Sequence, residues 1–172
     1  MRDFRPILNI LGLLLCIESI ALLIPMIFDY INNNEDWKKF FFISCLTFFI
    51  GIVLYVGFKK EEMKINLRQA FLLTILSWLV IALFGALPFI YSSSSLNFTN
   101  AFFESVSGIT TTGSTVISNL DSLSEGILIW RSLLQWFGGI GIIVLAVAIL
   151  PTLQIGGMQL LHMEHDDPYE KT

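Results

Sequence analysis

Four long apolar blocks, roughly residues 6–31, 40–58, 70–91 and 127–150, dominate this sequence. A helix crossing the hydrocarbon of a bilayer needs about 20 residues, and each block is of that order. The apolar residues run on without a 3.6 or 2.0 period, so they describe spans and not the inner faces of a soluble core. Composition agrees: 55% of the residues are hydrophobic and 14% charged, where a soluble domain carries about 25% charged residues. The expected class is therefore an all-α membrane protein. The net charge of −4 arises mostly in loops and the acidic tail, so it says little about partners.

Arg2 and Arg5 precede the first block and give the N-terminus a superficial look of a secretory signal. The apolar stretch 7–31 is too long for a signal core and lacks a small-residue cleavage site, so it reads as a retained first span. Segments 32–39 and 59–68 are short connections, whereas 92–126 is much longer. With the N-terminus inside, Arg2, Arg5, Lys59, Lys60, Lys64, Arg68 and Lys171 are cytoplasmic, leaving Lys38, Lys39 and Arg131 on the other side. Seven against three favours cytoplasmic N- and C-termini. The connection 92–126 is then external. It holds Glu104, Asp121 and Glu125 and no lysine or arginine, a balance that concentrates cations. Cys16 and Cys45 both fall inside apolar blocks, which indicates neither a disulfide framework nor a zinc site.

Within that connection lies a fifth apolar piece, 99–109. As a helix it would reach about 16 Å, half a bilayer. Asn97, Thr99 and Asn100 are all suitable caps for its start. Gly108 and the run Thr110-Thr111-Thr112-Gly113-Ser114-Thr115 follow at once. Irregular polar backbone survives at membrane depth only where protein buries it or it lines a water-filled cavity, so a re-entrant loop is expected. The run has no ionisable group. It offers consecutive carbonyls, hydroxyls and a glycine free to take conformations closed to other residues, a chemistry suited to replacing the water shell of an alkali cation. By itself the hexapeptide reads more readily as a Ser/Thr-rich turn with its glycine as a breaker; its placement behind a half-length helix and between two full spans reverses that and favours the ion site.

The order of span, short helix, Thr-rich segment and span resembles the repeat unit of the Trk/Ktr/HKT potassium transporter superfamily. More narrowly, the stretch Ala101-Phe102-Phe103-Glu104-Ser105-Val106-Ser107-Gly108-Ile109-Thr110-Thr111-Thr112-Gly113-Ser114 is similar to the first pore loop of bacterial TrkH-type membrane subunits. Leu134-Gln135-Trp136-Phe137-Gly138-Gly139-Ile140-Gly141-Ile142-Ile143-Val144, the later Ala148-Ile149-Leu150-Pro151 and Gly156-Gly157-Met158-Gln159-Leu160 extend the likeness. The resemblance implies two leading transmembrane helices (1–66), one pore repeat of span, pore helix with filter loop, and span (67–155), and a cytoplasmic tail (156–172). It implies that Thr111, Thr112 and Gly113 form the filter, flanked by Thr110 and Ser114, with backbone oxygens of Thr111 and Thr112 coordinating potassium. It further implies the bacterial inner membrane, a homodimer and a TrkA-like nucleotide-binding regulatory subunit. The function implied is potassium uptake, as the first of four filter repeats. Potassium is the transported ligand. No cofactor, other metal, enzyme activity or nucleic-acid partner is expected, and a non-conducting membrane scaffold or assembly fragment is the alternative.

Glu18 lies mid-span, where a carboxylate is costly. It reads as an ion relay, as a hydrogen bond to a neighbouring helix or as a protonated side chain, the last two being favoured. Glu104 and Arg131 both fall on the outer half, and pairing with each other or with another repeat would offset their burial. Gly138, Gly139 and Gly141 permit close helix packing or a gating bend. A hydrolase using Ser105, Ser107 or Ser114 would need a nearby base, and His162 and His165 lie beyond the last span. Those histidines, with Asp166 and Asp167, read as a solvated tail and not as a metal site.

Overall fold

The computed structural model describes residues 4–59, 67–120 and 123–143. Among the described residues all regular secondary structure is helical. The helices are α1 (Arg5–Ala21), α2 (Leu23–Ile31), α3 (Asp36–Gly57), α4 (Leu67–Gly85), α5 (Leu87–Tyr91) and α6 (Phe98–Ile109), followed by α7 (Glu125–Ile143). Among the described residues four stretches are long and apolar enough to cross a membrane: Arg5–Ile31, Asp36–Gly57, Arg68–Tyr91 and Glu125–Ile143.

Two of these spans are interrupted, which the apolar blocks do not reveal. Helix α1 stops at Ala21, four residues before Pro25, and α4 stops at Gly85, three before Pro88. A proline has no N–H to give the preceding turn, and its ring crowds the carbonyl four residues back. The Gly85 carbonyl, released from the helix ladder, instead accepts the indole N–H of the buried Trp130 at 2.9 Å.

The leading helices form an antiparallel pair held at close range by small residues. A Cβ on Gly12 would come within 2.5 Å of the Tyr55 backbone nitrogen, and one on Gly51 within 2.9 Å of the Cys16 nitrogen. Such approach is the usual basis of helix association in lipid, where no hydrophobic drive acts between spans. Polar side chains add to it: Asn9 Nδ2 donates to the Tyr55 carbonyl at 2.5 Å, and Ser44 Oγ to the Ser19 carbonyl at 2.7 Å. Helix α1 also packs on α4, and α4 on α6. Phe40, Ile43, Phe89, Trp130 and Leu134 form the buried centre, while Phe42, Phe49, Ile75 and Ile143 are exposed on the outside of the helices.

The last block starts two residues earlier than expected, at Glu125. Its residues from 144 onward lie outside the described residues, as do the Gly156–Leu160 stretch, His162, His165, Asp166 and Asp167.

Candidate functional site

Helix α6 has 12 residues and begins one residue before the expected 99. Of the three possible caps, Asn97 is the one used: its backbone is extended and its side chain accepts the Asn100 N–H at 2.9 Å. Thr99 and Asn100 lie inside the helix. Phe98 and Phe102 stack with ring centroids 6.0 Å apart.

The other end turns directly into the Thr-rich segment. The Thr111 N–H donates to the Gly108 carbonyl at 2.9 Å, and the Thr112 N–H to the Ser107 carbonyl at 3.0 Å. This crossed pair is a Schellman ending, which normally places glycine at the left-handed position. Here Thr111 occupies that position, with φ of 58°. A β-branched residue there is a true outlier, and such strain costs about 1–3 kcal/mol. Gly113 also has positive φ, 75°, and its N–H reaches the same Ser107 carbonyl at 3.3 Å. Ser107 closes the arrangement by donating its hydroxyl to the Ser114 carbonyl at 2.6 Å. The Thr110 hydroxyl donates to the Val106 carbonyl at 2.8 Å and meets the Thr112 hydroxyl at 2.8 Å.

The hydrogen bonding of the segment is therefore one-sided. The N–H groups of Thr110, Thr111, Thr112 and Gly113 all point back to the end of α6. Among the described residues no backbone N–H donates to their own carbonyls, and residues 110–116 are exposed.

Glu104 anchors the chain just beyond. It is fully buried. One carboxylate oxygen accepts the Thr115 hydroxyl at 2.6 Å and the Val116 N–H at 2.7 Å. The other accepts Arg131 Nε at 3.0 Å. The expected partners are thus side by side, linking α6, the exit of the segment and α7. Sequence reasoning took Thr115 only as the last of the hydroxyl-rich run and did not foresee its bond to Glu104, and it weighed Ser107 only as a nucleophile. Neither has a local signal, since their partners are set by how the loop folds back.

The three candidate glycines of α7 separate. Gly138 lies against the end of α6, where any Cβ would overlap the Ile109 carbonyl. One turn earlier Leu134 packs on Gly108, where a Cβ would sit 3.0 Å from that of Leu134. Among the described residues a Cβ at Gly139 would meet nothing within 4 Å, and one at Gly141 only Trp78 Cζ2 at 3.8 Å. Glu18 is buried, with neither carboxylate oxygen hydrogen-bonded among the described residues. The hydrogen bond to a neighbouring helix is absent there. Glu18 borders a largely apolar cavity of about 480 Å³, together with Leu14, Trp78, Ile109 and Phe137.

Residues 37–171 match the family model described as TrkH, cation transport protein. The chain is 46% identical over 166 residues to the Trk system potassium uptake protein TrkH of Escherichia coli strain K12, which covers 96% of this chain and 34% of that one. It is 38% identical over 171 residues to the Trk system potassium uptake protein TrkI of Halomonas elongata, covering 99% and 35%. The crystal structure of the potassium transporter TrkH from Vibrio parahaemolyticus superposes with a TM-score of 0.84 at 41% identity, over 91% of this chain and 34% of that one. The chain thus spans about a third of the length of the relatives it matches.

Proposed function

Since the chain belongs to the TrkH family of cation transport proteins, we propose that its 110–114 segment is one wall of a potassium-selective filter in a Trk-type uptake system. The observation that carries this reading is the one-sided hydrogen bonding of Thr110 to Gly113. With their N–H groups held by the end of α6, four consecutive residues keep carbonyl oxygens free to replace the hydration shell of an alkali cation. In this reading Thr111 and Thr112 supply the principal oxygens, Gly113 gives the left-handed turn between them and Ser114, and α6 is the pore helix.

The electrostatics support a monovalent ion. Among the described residues, the carboxylate bonded to the exit of the segment, Glu104, is matched by Arg131 at 3.0 Å, so what the segment itself offers an ion is carbonyl dipoles and not net charge. Divalent cations take carboxylate ligands readily and dehydrate reluctantly, which such a site does not reward. On the same reading 1–66 is a leading hairpin, 67–155 the pore repeat and 156–172 a cytoplasmic tail, with both termini inside. Further repeats would complete the pore, in a homodimer governed by a TrkA-like nucleotide-binding subunit in the bacterial inner membrane.

The test is growth of a potassium-uptake-deficient bacterium at low potassium, with the complete reading frame that encodes this chain. Rescue is expected, and Gly113→Asp should abolish it while leaving the protein in the membrane. Absence of rescue, or full rescue by the Gly113 variant, overturns the filter assignment and favours a non-conducting scaffold.

Thr111 gives a finer expectation. Thr111→Gly should relieve the backbone strain and raise stability by about 1 kcal/mol, seen as a higher melting temperature in detergent, while weakening discrimination between potassium and sodium. Strain serving ion selection predicts these opposite signs. A variant more stable and equally selective would mean that Thr111 plays no part in it.

A further inference from the structure

The leading hairpin reaches the connection that carries α6 and the 110–114 segment at both of its ends. Asp36, in the first turn of α3, accepts the Ser93 N–H at 2.8 Å, just after α5. Its other oxygen is paired with Lys39 at 2.8 Å. Asp29, near the end of α2, accepts the Gly126 N–H at 2.9 Å, in the first turn of α7. Asn32 donates to the neighbouring Glu125 carboxylate at 2.5 Å. Asp29 is fully buried and Asp36 is 3% exposed. These bonds join residues 57, 97 and 93 positions apart.

Resting on the filter reading, we infer that this hairpin is a clamp, in which Asp29 and Asp36 are positioning residues fixing where the filter segment sits. Helix packing through apolar side chains tolerates sliding, because it is non-directional. Hydrogen bonds from buried carboxylates to particular N–H groups remove that freedom at the two points where the connection leaves and rejoins the bundle. Placing ion ligands demands positions held to about 0.5 Å.

The start of α7 is built for the contact. Its first N–H groups have no partner within the helix, and its positive end favours a carboxylate. Ser124 supplies a local cap, accepting the Ile127 N–H at 3.4 Å, and Asp29 supplies a second from another span. Gly126 makes the approach feasible, because a side chain there would overlap the Asp29 carboxylate. From Gly126 the path to the filter is short: α7 carries Arg131, which holds Glu104, which holds Thr115 and Val116.

The test measures potassium uptake by cells expressing the complete reading frame, with protein abundance measured in parallel. Asp29→Leu removes the acceptor, and Gly126→Ala displaces it from the other side. Each should raise the half-saturating potassium concentration about tenfold, equivalent to about 1.4 kcal/mol, and lower discrimination against sodium. Asp29→Asn keeps an acceptor oxygen and should stay near wild type. The double variant Asp29→Leu/Gly126→Ala should be no worse than either single change, since both break one contact. If abundance falls while half-saturation and selectivity are unchanged, the hairpin only stabilises the fold and the positioning role is lost.

A second readout works without transport. In a Cys16→Ala/Cys45→Ala background, the reaction rate of Thr112→Cys with a membrane-impermeant thiol reagent should change several-fold on adding Asp29→Leu. An unchanged rate overturns the clamp. Failure of the wild type to move potassium, with that rate still changed, would count against the transport reading alone.

Discussion

Glu104→Ala is expected to abolish potassium uptake and to destabilise the purified protein by about 3–5 kcal/mol, the usual consequence of removing one member of a buried ion pair. The guanidinium of Arg131 would be left in a largely buried place, and one of its nitrogens, Nη2, already lacks a hydrogen-bond partner among the described residues. The Thr115 hydroxyl and the Val116 N–H would lose their acceptor in the same step. The damage therefore reaches the exit of the proposed filter. Glu104→Gln keeps an oxygen for Thr115 and Val116 but removes the charge, so its effect should be intermediate. Thermal melting in detergent and uptake assays separate the two losses. The exchange Glu104→Arg/Arg131→Glu should fold better than either single reversal, though short of wild type because the acceptor for Val116 is still missing. If the double reversal is no better than the singles, the two residues do not act as a pair.

Gly138→Val should be as harmful for a different reason. Even the first carbon of the new side chain would overlap the Ile109 carbonyl, a backbone atom that cannot swing aside. Helix α7 would have to move off the end of α6, at a cost at or above the ~1–3 kcal/mol usual for overpacking. The proposed filter turn begins at that carbonyl, so uptake should fail along with stability. Gly139→Ala is the matched control. With nothing within 4 Å of its Cβ among the described residues, it should be neutral or stabilising by up to about 1 kcal/mol, as for a helix-interior glycine replaced by alanine. Equal harm at 138 and 139 would point to a bend needing both glycines. Harm at 138 alone assigns it to packing.

The site was legible in proportion to how local its signals are. The half-length helix and its cap at Asn97 follow from neighbouring residues, and so does the glycine that ends up at positive φ at 113. Thr111 is the opposite case. Its local preference argues against the left-handed conformation, yet the crossed bonds to Gly108 and Ser107 hold it there. Glu104 and Arg131 could be suspected of pairing, because an unpaired charge at that depth is costly. Asp29 and Asp36 gave no such hint. They stand beside the turn between α2 and α3, where acidic residues are unremarkable.

The sequence alone determined that this chain is a set of membrane spans with a half-length helix and a Thr-rich turn inserted before the last. Spans are specified by length and hydropathy, which any stretch carries within itself, whereas the breaks ahead of Pro25 and Pro88 emerged only in the structure. Only the tertiary structure decided that Asp29 meets Gly126, that Asp36 meets Ser93, and that Gly138 rather than Gly139 bears on α6. Those choices depend on the rotation and register of each helix against its neighbours. A shift of one residue along a helix turns a side chain by about 100°, and no local property of residue 29 records what lies 97 positions away.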